Sequence, residues 1–290
     1  MKIRTALWAL FLLPVAAFSE EHLAIAGRDV AWWKPTGPAP ASGYPVVVFS
    51  HGLTGCNTQS TFLMEALAKA GYLVLAPNHE DARCGTARTG KLRGLKTEAP
   101  LGSPEKWSEA TYRDRADDVK AVLDAALRDS TFHGLAVAAQ RVGLAGHSLG
   151  GYTVLGLAGA WPAWKDARVK AVLALSAFCT PYVSNGDLSR LKMPVMYQGG
   201  TLDLGITPSI RRFQGAYDRS VAPKYYVEFD GAGHFAWTDL NPRFHAVIDE
   251  YSIAFFDRYL KGKNPDRLDA LINKPLPKLV SFLKSDDKVR

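Results

Sequence analysis

The chain has 290 residues, 47% of them hydrophobic and 22% charged, with a formal net charge of +7. That is enough apolar material for one large core or two small ones, and too much for a disordered tail. Its 25 glycines and 17 prolines are spread along the chain without a repeating unit, which excludes collagenous and low-complexity architectures.

Residues 1–19 have the layout of a secretory signal segment: Lys2 and Arg4 precede an apolar run from Ala6 to Phe18, followed by Ser19 and the acidic pair Glu20 and Glu21. The run is shorter than the roughly 20 residues that span a bilayer as a helix. The expectation is therefore cleavage after Ala17 or Ser19 and a mature single domain of 20–290, secreted or periplasmic, with no integral membrane span. Losing Lys2 and Arg4 lowers the formal charge from +7 to +5. The remaining charge is dispersed, and no aromatic-plus-basic module points to a nucleic-acid partner. The basic run Arg83, Arg88, Lys91, Arg93 and Lys96 reads as a solvated loop. Of the three cysteines, Cys56, Cys84 and Cys179, an odd one is left over, and a bridge between Cys56 and Cys84, both in loops after predicted strands, stays open. Their spacings fit neither a zinc ribbon nor a Cys-x-x-Cys redox site.

In chain order, 28–33 suggests an early strand or hairpin, followed by an irregular turn rich in proline and glycine. Continuous apolar runs at 45–50, 72–76, 141–145, 169–175, 194–198 and 224–229 then alternate with helical patterns at 60–70, 108–127, 148–160, 208–217 and 241–262. Uninterrupted apolar strands are buried on both faces, so the fold class is α/β: an open, mostly parallel central sheet with helices on both sides. The long polar stretch 85–106 reads as a surface insertion, either a lid or a long loop. In such folds ligands bind at the carboxyl ends of the strands.

Chemistry concentrates at those ends. Gly146-His147-Ser148-Leu149-Gly150-Gly151 lies between the predicted strand 141–145 and the helix that follows, the context of a nucleophile elbow. Glycine is required two positions either side of Ser148 because the turn is too sharp for side chains there. A serine hydroxyl needs a base, and the base needs an orienting group. Asp203 follows the strand 194–198 and His234 follows the strand 224–229, in the order nucleophile, acid, base. His79, in Asn78-His79-Glu80-Asp81, is the one rival base, read here as a satisfied loop histidine. Asp230 and Asp239 are alternatives to Asp203. The oxyanion of a tetrahedral intermediate needs two backbone donors, assigned to the amides of Leu149 and of Leu53 in His51-Gly52-Leu53-Thr54-Gly55. Thr54, Phe178, Ile206 and Trp237 follow strand ends and are candidates to line a substrate pocket, although each aromatic is equally well placed in the core. His51, His79, His147 and His234 share one sheet end, but without metal-ligand spacing.

The strand ending in His51-Gly52, the elbow from Gly146 to Gly150, Asp203, His234 and the segment Arg115-Ala116-Asp117-Asp118-Val119 resemble the α/β-hydrolase superfamily over about 44–260. Within it they are most similar to the dienelactone-hydrolase-like branch, which includes platelet-activating-factor acetylhydrolase-like esterases and secreted cutinase-type polyester hydrolases. The resemblance implies hydrolysis of a small-molecule or polymeric carboxylic ester through an acyl-enzyme, with no metal or organic cofactor. Dienelactone hydrolases proper use cysteine where Ser148 stands, so lactone specificity does not carry over. Polyester hydrolases usually have methionine at the position of Leu149 and often an aromatic at that of Leu53. A serine peptidase or acyltransferase on the same fold would use the same three residues, and a non-catalytic binding module would not need them intact.

Overall fold

The computed structural model describes residues 20–83, 97–276 and 279–286. Residues 1–19, read above as a signal segment, residues 85–96 of the expected insertion, Cys84 and the basic residues Arg88, Lys91, Arg93 and Lys96 lie outside the described residues.

The chain opens with a hairpin, β1 (Glu21–Ile25) and β2 (Arg28–Trp33), joined at Ala26 and Gly27, both at positive φ, as a two-residue hairpin turn demands. Strand β3 (Tyr44–Ser50) leads to α1 (Thr61–Lys69) and β4 (Leu73–Pro77). Helix α2 (Arg113–Leu127), the short β5 (Thr131–Phe132), β6 (Leu135–His147) and α3 (Leu149–Leu155) follow. Next come β7 (Val169–Leu175), α4 (Thr180–Ser184), β8 (Val195–Gly200), α5 (Thr207–Arg211), α6 (Ala216–Arg219) and β9 (Lys224–Phe229). The chain closes with α7 (His245–Phe256), α8 (Pro265–Asn273) and β10 (Val280–Asp286).

Among the described residues the strands form one sheet in the order β1-β2-β4-β3-β6-β7-β8-β9-β10, with β5 paired to β6. The run from β4 through β3, β6, β7 and β8 to β9 is parallel, and the edges beyond it are antiparallel. Both faces are covered, which is why the central strands read as continuous apolar runs. In β3, Val46 and Val48 pack with α2 and α3, while Val47 and Phe49 pack with α1 and α7. Full burial of each such side chain contributes about 1.5–3 kcal/mol.

Three predicted helices differ in detail. The helix expected at 108–127 begins at Arg113, because Tyr112 is left-handed (φ 58°) and its amide is held by the Glu98 carboxylate. The one expected at 208–217 is two helices: Arg212 leaves helical geometry (φ −56°, ψ 156°) and ends the first, and Gln214, at φ 53°, donates its amide to the Asp218 carboxylate of the second at 3.1 Å. In the one expected at 241–262, α7 starts at His245 after a tight turn at Pro242–Phe244. The described end of the insertion is fastened rather than loose: Ala99 is buried, and the Asn185 side chain donates to the carbonyls of Pro104 and Trp107.

The parallel strands carry their loops to one end, and α3 is seated hard against β3 there. A Cβ on Gly150 would stand 1.9 Å from the Ser50 carbonyl oxygen and 2.8 Å from that of His51. Both obstacles are backbone, so neither can swing aside. Gly150→Ala is expected to cost on the order of 3 kcal/mol or more, read as a drop in the denaturant midpoint at unchanged slope.

Candidate active site

Ser148, at the β6–α3 junction, has φ 55° and ψ −116°. A residue with a side chain holds such a conformation at a cost of about 1–3 kcal/mol and only where its surroundings impose it. Here the Ser148 amide donates to the Leu175 carbonyl at 3.0 Å and the Ser148 carbonyl accepts from the Phe178 amide at 2.9 Å, so the end of β7 grips both sides. Gly146 faces Gly150 across the turn, where a Cβ would meet the Gly150 carbonyl oxygen at 2.2 Å. The result is a half-buried Ser148 hydroxyl raised above the strand end.

The loops after β8 and β9 bring Asp203 and His234 to it. His234 Nε2 is 3.0 Å from Ser148 Oγ, and His234 Nδ1 is 3.3 Å from Asp203 Oδ1. Between Asp203 and His234 stands a residue the sequence did not single out. Ser176, fully buried after β7 with φ 42°, donates to Asp203 Oδ2 at 2.6 Å and lies 2.7 Å from His234 Nδ1. Thr207 Oγ1 adds a second contact to Asp203 Oδ2 at 3.0 Å. Burial pushes the Asp203 carboxyl up, but hydrogen bonds from His234, Ser176 and Thr207 together with the His234 charge outweigh it, leaving the group below its ordinary value and ionised at neutral pH.

The loop after β3 passes beside Ser148: a Cβ on Gly52 would lie 3.4 Å from Ser148 Cβ. Its backbone is pinned at both neighbours of Leu53. The Gly52 amide donates to Gln59 Oε1 at 3.0 Å, and the Thr54 amide donates to Asp81 Oδ2 at 2.9 Å. Arg115, fully buried, pairs with Asp81 and donates to the His51 carbonyl at 2.8 Å and the Gly52 carbonyl at 3.2 Å. Among the described residues no hydrogen bond takes up the amides of Leu53 or Leu149.

Comparison with known proteins gives this arrangement a family. A model described as PET hydrolase-like matches residues 95–285, about two thirds of the chain. The chain belongs to the PET hydrolase-like family. A second model, described as platelet-activating factor acetylhydrolase, isoform II, matches residues 20–99. Cutinase 2 of Thermobifida cellulosilytica is 28% identical over 227 residues, 77% of this chain and 71% of the relative. Cutinase cut1 of Thermobifida fusca is 28% identical over 77% of this chain, and cutinase est2 of Thermobifida alba 27% identical over the same share; the match spans 58% and 62% of these two proteins. The PET hydrolase-like chain thus lies in the serine-esterase branch of the α/β-hydrolases related to cutinases, and is a carboxylic-ester hydrolase.

The other candidates settle elsewhere. His79 is 3% exposed, and both ring nitrogens are engaged, Nε2 with Ser50 Oγ at 2.8 Å and Nδ1 with Asp118 Oδ2 at 2.9 Å. Burial, and then the charges of Arg115 and Arg28, hold its pKa well below the ordinary histidine value. Asp230 accepts from Thr201, and Asp239 accepts from the first amides of α1, so neither faces His234. Trp237 corrects the pocket assignment: it is fully buried, its indole donates to Gln198 Oε1 at 3.0 Å, and it is core rather than pocket wall. Phe178 is 8% exposed with its ring packed on Trp107, whereas Thr54 and Ile206 are partly exposed. The sequence reading also passed over Leu202, Leu204, Phe235 and Leu240, each more than half exposed, in the loops that carry Asp203 and His234. Exposed apolar side chains flanking polar site residues were the available signal.

Ser176→Ala deletes a hydrogen bond to an ionised carboxylate, a contact of about 1.5–3 kcal/mol. It is expected to lower kcat on a p-nitrophenyl ester about tenfold or more with the fold intact, measured beside the unfolding midpoint.

Proposed function

We propose that the PET hydrolase-like chain cleaves carboxylic esters through a covalent acyl-enzyme on Ser148, with His234 as general base and acid, Asp203 as its orienter and the Leu53 and Leu149 amides as the oxyanion hole. The observation that carries this reading is the chain of contacts at a partly open sheet end: Ser148 Oγ hydrogen-bonded to His234 Nε2, and His234 Nδ1 connected to Asp203 both by a 3.3 Å ion-pair contact and by hydrogen bonds through Ser176 Oγ. His234 Nε2 accepts the Ser148 proton as Oγ attacks the ester carbonyl. The carbonyl oxygen takes the electron pair and the negative charge, facing two amides that no hydrogen bond among the described residues takes up. The intermediate collapses with loss of the alcohol, which receives the proton from His234. Water then repeats the sequence on the acyl-enzyme and releases the acid. The ionised Asp203 favours the imidazolium at both stages and keeps the Nδ1 proton facing inward.

The names of the family and of its cutinase relatives, together with the apolar side chains of Leu202, Leu204, Phe235 and Leu240, support polymeric or otherwise apolar esters as substrates. A polymer too large to enter a cell would have to be met outside it, which agrees with the reading of residues 1–19 as an export signal and of 20–290 as the mature domain. No helix among the described residues is long and apolar enough to cross a membrane.

A chain-length series of p-nitrophenyl esters tests the assignment. Ser148→Ala and His234→Ala are each expected to reduce kcat by about 10⁶-fold, and Asp203→Asn by roughly a hundredfold less than that. Undiminished turnover by Ser148→Ala would overturn it.

A further inference from the structure

The side chain of Gln59 links the loop that offers the Leu53 amide to the loop that carries His234. Its Oε1 accepts from the Gly52 amide at 3.0 Å, and its Nε2 lies 3.0 Å from His147 Nδ1. His147 Nε2 in turn lies 2.8 Å from the backbone carbonyl oxygen of His234. The donor and acceptor roles along this path are fixed. The Gly52 amide can only donate, so the Gln59 oxygen faces it and the Gln59 NH₂ faces His147. His147 Nδ1 must then accept, and its ring proton sits on Nε2, where it donates to the His234 carbonyl.

Three further observations show a built connection. A Cβ on Gly55 would stand 2.1 Å from Gln59 Oε1 and one on Gly52 3.2 Å from it, so both glycines leave room for that oxygen. His147 is 2% exposed, and burial followed by the His234 charge pushes its pKa down to about 3, so it is neutral with one ring N–H. Beside Gln59, the Asp239 amide donates to the Gln59 carbonyl at 3.0 Å and Ser60 Oγ donates to the Trp237 carbonyl at 2.6 Å, which sew the same two loops together at the backbone.

We infer that Gln59 is a positioning residue that couples the oxyanion loop to the catalytic histidine, acting through the single ring proton of His147. This rests on the proposed roles of Ser148, His234 and Leu53. Gln59 touches no reacting atom. It fixes Gly52, and thereby the direction of the Leu53 amide, and it fixes the proton that holds the backbone from which His234 projects. Both elements are needed only as charge develops, so the effect falls on the transition state.

Two variants separate the halves of the connection. Gln59→Met has a similar length and makes neither hydrogen bond. Gln59→Glu still accepts from Gly52 but presents no N–H to His147 Nδ1. With p-nitrophenyl acetate, kcat is expected to fall about tenfold in Gln59→Glu and about a hundredfold in Gln59→Met, with KM changed less than about twofold in each. The ¹⁵N ring resonances of His147 provide a second signature: a proton on Nε2 in the wild type, and a redistribution toward Nδ1 in Gln59→Glu. A folded Gln59→Met variant with wild-type kcat, or losses confined to KM, would overturn the coupling. If Gln59→Met does not fold, an unshifted His147 tautomer or wild-type kcat in Gln59→Glu does the same. Wild-type protein that neither hydrolyses the ester nor reacts with a fluorophosphonate at Ser148 would instead overturn the triad reading on which the coupling rests.

Discussion

The site depends on one backbone constraint, the left-handed turn at Ser148. That residue is held at φ 55° by the end of β7 on one side and by the approach of α3 to β3 on the other. The strain lifts Oγ out of the strand end and places the Leu149 amide at the start of a helix, where partial positive charge favours an oxyanion. The same close approach sets the distance between the elbow and the loop after β3. Ser148 and the amides proposed as oxyanion donors are therefore positioned by sheet packing, not by the loops alone, and the glycines of the elbow are a condition of that packing.

Around this point the molecule builds the same serine-histidine-aspartate connectivity twice. Ser148, His234 and Asp203 form one path; Ser50, His79 and Asp118 form another with comparable distances. Exposure separates them. The His234 side chain is 28% exposed, whereas Ser50 and His79 are buried and stand beside the Arg115–Asp81 pair. The buried path is a brace under the loop after β3. Arg115 alone binds two of that loop's carbonyls, while Asp81 holds the Thr54 amide. Leaving such a buried charge without its partner costs far more than the pair contributes, which makes the brace rigid.

Much of this was legible in the sequence. The parallel core shows as continuous apolar runs because its strands are covered on both faces, and Ser148, Asp203 and His234 stand out because each follows such a run in a glycine-bearing turn. Ser176 and Gln59 were not legible. A serine after a strand and a glutamine in a loop carry no pattern, and their partners lie 27 and 58 residues away for Ser176 and 88 for the His147 contact of Gln59. Trp237 was misplaced because a strand-end aromatic fits pocket or core equally well until its indole partner, Gln198, is known. The break between α5 and α6 carries no signal in the apolar pattern because it rests on the extended backbone of Arg212 and on a local contact of the Asp218 carboxylate with the Gln214 amide.

The central claim is that Ser148 is the nucleophile, and the most direct measurement is the site and stoichiometry of a covalent adduct. The mature protein treated with a fluorophosphonate, digested and analysed by mass spectrometry should carry one phosphonyl group per chain, on the peptide containing Ser148. Absence of an adduct on folded protein, or an adduct on Ser50 or Ser176 in its place, would contradict the account.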